Sequence, residues 1–197
     1  MIHYKGVWEA GLTYTEYVEL VDEKIREGTS TSETDDVSLL EYSVLNAHRM
    51  KRITKGMSKN VLKDLSGTSK ALYALTITEG WCGDAAQIVP VVDAVLRQNN
   101  IESKVVLRDK NEALMDAHLT NGARAIPVVI FLDKAFEVIY QWGPRPLEAQ
   151  QIVIDWKAIP EGQRPPKSEM THQIQLWFSK DKQKAIIHEL ESIIIGQ

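Results

Sequence analysis

Tyr14, Tyr17, Val18, Val21 and Ile25 recur at the spacing of one helical face, and Thr13 with Glu16 three residues on forms a capping box where that face begins. Gly28 supplies the stop. A second helical run starts at Asp35 or Asp36, whose carboxylates suit an N-cap, and continues to Lys55 and Gly56. Its apolar residues lie on more than one side (Val37, Leu40, Val44 and Ala47; Leu39, Leu45, Met50 and Ile53), which predicts contact on two faces. Ser58 is placed to cap a short third helix carrying Val61, Leu62 and Leu65, and Ser66, Gly67, Thr68 and Ser69 read as a linker.

From Lys70 onward short β runs alternate with helical ones, the sign of an α/β layer arrangement. Residues 71–78 read as a buried strand, and after a turn through Glu79, Gly80, Trp81, Cys82 and Gly83 a helix carries Ile88, Val91, Val92 and Val95 along one face. Residues 104–108 predict a second strand, 111–120 a helix, and 126–132 a third strand with Pro127 at its mouth. Asp133 and Lys134 allow a turn into residues 136–142, so the last two strands are expected to form an antiparallel hairpin. Gly143, Pro144, Arg145 and Pro146 break that strand, and Leu147, Ile152 and Trp156 sit in the helix that follows. A Pro-rich stretch over 159–166 then leads to one final helix over 170–195 with Ile174, Trp177, Phe178, Ile186, Leu190, Ile193 and Ile194 as its apolar residues.

The expected organisation is a helical N-terminal extension over 1–69, an α/β core with order β-α-β-α-β-β-α over 70–158, and a linker with a C-terminal helix over 159–197. Isolated helices are marginal, so the terminal ones are expected to cover the core. The alternatives are a dimer seam or a groove over the thiol.

Composition adds exclusions. With 197 residues, 44% hydrophobic and 25% charged, the chain is globular, and it is large enough to need no staple. A single cysteine rules out an internal disulfide, and no Cys/His cluster has zinc-ligand spacing. A net charge of -4 with mixed signs gives no basic field for nucleic acid or membrane surfaces. No apolar leader or spanning run is present, so the expected compartment is the cytoplasm and the expected partners are proteins or low-molecular-weight thiols, with a homodimer allowed. No metal or cofactor motif is found.

The candidate chemistry sits at Cys82. A cysteine after a buried strand and before a helix meets unpaired N–H groups and the positive end of the helix dipole, both of which favour a thiolate. The competing reading of a lone cysteine is a small buried hydrophobe.

Trp81, Cys82, Gly83, Asp84 and Ala85 at this turn, with Ile126 and Pro127 opening a strand 45 residues beyond Cys82 and the element order above, resemble the thioredoxin superfamily. The resemblance implies a three-layer α/β/α core and assigns Cys82 to the nucleophilic position. It makes Trp81 the shielding aromatic, Pro127 a cis-proline facing the thiol, and Ile126 the residue offering backbone groups to an extended substrate; Gly83 and Ala85 line the same turn. The sequence departs from the dithiol pattern at Ala85, where a resolving cysteine would stand, so ordinary dithiol reductase activity is expected to be absent or very weak. Asp84 replaces a common proline. Its carboxylate suits the first helical turn, opposes thiolate formation, and is a candidate proton relay; Glu79 is a second acidic candidate.

His48, Arg49, Lys51, Arg52 and Lys55 cluster toward the end of the second helix, where the dipole favours cations; an anion patch is the sharper alternative, with Arg49 and Arg52 its i, i+3 arginine pair. The leading functional expectation is single-thiol exchange through a mixed disulfide at Cys82. The alternative is a non-catalytic binding module of the same fold, and a dimer that bridges a metal cluster through Cys82 and an external thiol is the third reading.

Overall fold

The structure is a computed structural model that describes residues 2–34, 36–57, 62–65 and 69–196. Its centre is a four-stranded mixed sheet in the order β2-β1-β3-β4, built from β1 (Tyr73–Thr78), β2 (Glu102–Leu107), β3 (Val128–Leu132) and β4 (Val138–Trp142). β1 pairs parallel with β2 and antiparallel with β3, and β3 with β4 forms the expected hairpin. Alternation along the central strands divides the core in two. Ala74, Val129 and Phe131 face one side, while Leu75, Ile77, Val128, Ile130 and Leu132 face the other. Both sides are covered by helices, which gives the three-layer α/β/α core with helical extensions.

α4 (Gly83–Gln98) links the two cores. Ile88, Val91, Val92 and Val95 pack with residues of the last two helices, while Ala85, Ala86 and Val89 pack with α2 (Tyr14–Arg26) and α3 (Val37–Met57). Burying each large aliphatic of this set stabilises the fold by roughly 1.5–3 kcal/mol, and it fixes where the N-terminus of α4, and so Cys82, is held.

The Thr13 capping box on α2 is formed, with Glu16 N–H donating to Thr13 Oγ1 at 3.2 Å and Thr13 N–H donating to Glu16 Oε2 at 2.7 Å. Gly28 takes φ +75° just past the end of that helix. Asp36 accepts from the Ser38 N–H at the start of α3; Asp35 lies outside the described residues. α3 buries Met50 and Ile53 against different cores, as its two apolar faces require.

Several elements differ from the sequence pattern. A short helix, α1 (Tyr4–Ala10), precedes α2; Trp8 packs edge-on against Tyr73 and Phe136, and Tyr4 Oη bonds His118 Nε2 at 2.8 Å. Of the expected helix capped by Ser58, residues 58–61 lie outside the described residues and 62–65 are not helical, and 66–68 of the linker also lie outside. The first strand starts at Tyr73 rather than residue 71, the second is displaced to Glu102–Leu107, the third starts after Pro127, the fourth starts at Val138 rather than residue 136, and the helix expected over 111–120 is α5 (Glu112–Ala117). After α6 (Leu147–Ala158) the single C-terminal helix is two, α7 (Lys167–Asp181) and α8 (Lys184–Gly196). Lys182 and Gln183 separate them in the left-handed region, at φ 54° and 68°. Among the described residues no helix is long and apolar enough to cross a membrane.

Candidate functional site

Cys82 is the N-cap of α4, and its extended backbone (φ −78°, ψ 114°) turns the chain from β1 into the helix. The thiol lies across from the mouth of β3, where it donates to the Ile126 carbonyl at 3.5 Å. The Ile126–Pro127 peptide bond is cis, as is Gly143–Pro144. Gly143 has φ +116° and no room for a Cβ against the Pro127 carbonyl, so a glycine is needed for the end of β4 to lie this close to the site. Two residues on, Arg145 reaches Asp84 in a pair of 2.5 Å, largely shielded from solvent. Cys82, Asp84, Ile126 and Pro127 therefore meet at one end of the sheet, although their residues come from separate elements.

The thiol is covered and electrically discouraged. Cys82 is only 9% exposed. Burial pushes the Cys82 thiol up to about 12, and the Asp84 charge adds to that; the N–H groups of Ala85 and Asp84 and the Arg145 cation pull the other way without prevailing. Burial also raises the Asp84 carboxyl, opposed by Arg145 and Arg49. Helix-dipole activation, the reason to suspect a thiolate from sequence, is here outweighed by desolvation.

Around these residues stands a set that lies far apart in the chain. Trp81 is half-buried, with the Arg108 guanidinium over its ring at 4.7 Å. Asn46 of α3 donates to the Gly80 carbonyl at 3.1 Å and accepts from Arg49 at 3.1 Å, which brings Arg49 beside Gly83. Gln175 of α7 approaches Gly83 as well and accepts from Gln87 at 3.0 Å. Ala85 is fully buried at the position of the missing second cysteine. Beneath the turn, Glu79 is fully buried; Thr31 Oγ1 donates to one of its oxygens in a short hydrogen bond, the Asp109 N–H donates to the other at 3.0 Å, and Thr31 accepts from the Gly80 N–H at 2.9 Å. Burial raises the Glu79 carboxyl to about 7. Burial likewise raises the Tyr17 phenol, with Cys82 and Glu79 among its electrostatic neighbours.

A family model described as thioredoxin matches residues 32–157. The chain belongs to the thioredoxin family. The matched stretch begins within the region upstream of α3, so the family resemblance reaches beyond the core alone. Two solved structures share the thioredoxin-family chain's fold over its whole length: an HIV epitope scaffold (17% identity, TM-score 0.65, 100% of this chain and 99% of that one) and a protein of unknown function from Pseudomonas aeruginosa (18% identity, TM-score 0.64, the same coverages). No curated protein matches it.

Sequence reasoning singled out Cys82, Asp84, Trp81, Gly83, Ala85, Ile126, Pro127 and Glu79 but missed Arg145, Asn46, Gln175, Thr31 and Tyr17 as their neighbours. The Gly143-Pro144-Arg145-Pro146 run was the one available signal, a cation held between prolines at a strand end. Among the described residues no group of three or more His, Cys, Asp or Glu side chains is arranged to hold a metal.

Proposed function

We propose that this thioredoxin-family protein is a binding module that has lost dithiol turnover and docks an extended segment of a partner protein at the mouth of β3, beside Ile126 and Pro127. The observation that carries this reading is the state of Cys82. It is a covered thiol that donates to the Ile126 carbonyl and whose burial favours the neutral form, with a buried alanine at the resolving position. A neutral thiol is a poor nucleophile, and without a second thiolate a mixed disulfide has no internal exit.

A second reading, single-thiol exchange, is favoured by the Ala85 and Asp84 N–H groups and Arg145, all of which stabilise a sulfur anion at this position. In that reaction Cys82 gives up its proton, its thiolate attacks a disulfide, one sulfur leaves as thiolate, and a thiol from solution later displaces Cys82 from the mixed disulfide. Incubating the reduced protein and Cys82→Ser with oxidised glutathione across pH, with intact mass as readout, separates the two. The binding reading expects no adduct at neutral pH; rapid adduct formation there that Cys82→Ser abolishes overturns it in favour of exchange.

A further inference from the structure

The basic cluster near the end of α3 splits into two sides. Lys51 turns toward α2 and pairs with Asp22 at 2.8 Å, and His48 lines the same side. Arg49 and Arg52 instead line a cleft of about 370 Å³ between α3, α4 and α7, together with Gln87, Gln175 and Ser179.

That cleft gathers positive charge and leaves it unanswered. Arg49 is half-buried, and among the described residues its one hydrogen bond goes to the neutral Asn46 side chain. Among the described residues no carboxylate forms an ion pair with Arg49 or Arg52. Asp84 is the acidic group that Arg49 senses, and it is already engaged by Arg145. Two guanidiniums one helical turn apart repel each other, and the partial burial of Arg49 removes some of the water that would screen it. The Gln87 to Gln175 bond uses the Gln175 oxygen as acceptor, which turns its amide nitrogen toward Gly83 as a further donor. Two guanidiniums and the Gln175 amide nitrogen thus gather a few ångströms from the Cys82 turn, and among the described residues no carboxylate pairs with either arginine.

We propose that this cleft is a carboxylate-binding site, taking an acidic side chain or the C-terminal carboxylate of the segment that docks beside Cys82. The docked segment rests on the binding reading above, whereas the site itself does not depend on the thiol. A planar carboxylate matches the fork of a guanidinium, and Arg49 and Arg52 together neutralise it while the Gln175 amide completes the donor set.

The test is titration of the isotope-labelled protein with glutarate, followed on the side-chain N–H signals of Arg49, Arg52, Gln87 and Gln175. Saturable shifts are expected, absent with sodium chloride at matched ionic strength, and Arg52→Gln should weaken binding by about tenfold. Arg52 is exposed, so this variant keeps the fold, and Arg49→Gln gives a second, independent loss. Linear shifts that sodium chloride reproduces, or binding unchanged in both variants, overturn the site. Saturation by phosphate but not by glutarate overturns the carboxylate assignment. An acetylated, amidated peptide with one internal Glu, set against one whose only carboxylate is its C-terminus, identifies which source the cleft takes. Failure here leaves the glutathione result untouched, and an adduct at Cys82 leaves this result untouched.

Discussion

Asp84 and Arg145 form a shielded ion pair of 2.5 Å just past Cys82, and the two charges act on the thiol in opposite senses. Asp84 raises it and Arg145 lowers it. The pair also ties the start of α4 to the loop after β4, so the electrostatics of the turn and its anchoring to the hairpin share one contact.

Asp84→Asn removes the raising charge and leaves Arg145 to act alone. The Cys82 thiol then falls from about 12, and alkylation by iodoacetamide at mildly alkaline pH should accelerate, by about tenfold for every pH unit of that fall. The same change strands a shielded guanidinium, so the urea midpoint should drop by the equivalent of roughly 3 kcal/mol. An unchanged alkylation rate would mean that burial by itself sets the thiol.

Ala85→Cys places a second thiol three residues after Cys82, on the same side of the helix. Mild oxidation should then remove both thiols from titration with Ellman's reagent, and the variant should show insulin-reducing turnover above that of the parent. Ala85 has no exposed surface, so the larger side chain should cost about 1–3 kcal/mol of stability. Two titratable thiols persisting after oxidation would show that the turn holds Cys82 away from this position.

What the chain reveals before folding follows from how local each cause is. The β1 strand, the α4 face and the Thr13 capping box depend on residues within a few positions of one another, and the turn at Cys82 with the strand mouth at Pro127 follows from the order of elements. α1 escaped because its seven residues carry no clean period; Tyr4 and Trp8 are held by His118, Tyr73 and Phe136, distant in sequence. The surroundings of Cys82 escaped for the same reason, since Thr31, Asn46, Arg145 and Gln175 reach it only through tertiary packing. The sequence leaves open whether Cys82 is activated or buried, because burial is a quantity that the dipole argument does not contain.

The break between α7 and α8 had no glycine or proline to announce it. Lys182 caps α7 in the left-handed region, with its N–H donating to the Phe178 carbonyl at 3.1 Å. A lysine there carries a backbone penalty that glycine lacks. Lys182→Gly should therefore raise stability by roughly 1 kcal/mol, read as a higher urea midpoint at unchanged slope. A lower midpoint would indicate that the lysine side chain contributes more than its backbone costs.

Glu79 should leave a pH signature on folding itself. Its carboxyl rises from 4.5 to about 7, chiefly through burial, although Asp109 N–H and Thr31 partly oppose the rise. A group raised in the folded state binds its proton more tightly there than in the unfolded chain, so its stabilising effect is complete below about pH 4.5, declines as pH climbs, and is gone above about pH 7. The difference corresponds to about 3 kcal/mol across that window. Surface carboxyls lowered by their own partners, such as Glu16 and Asp116, slope the opposite way, so the curve of the parent alone mixes the two. Subtracting the curve of Glu79→Gln isolates the buried group, because glutamine keeps an acceptor for Asp109 N–H and has no proton to lose. Urea unfolding at a series of pH values should show the parent losing stability relative to Glu79→Gln between pH 4.5 and about 7, and parallel curves would mean that the Glu79 proton is as loosely held in the folded protein as in the unfolded chain.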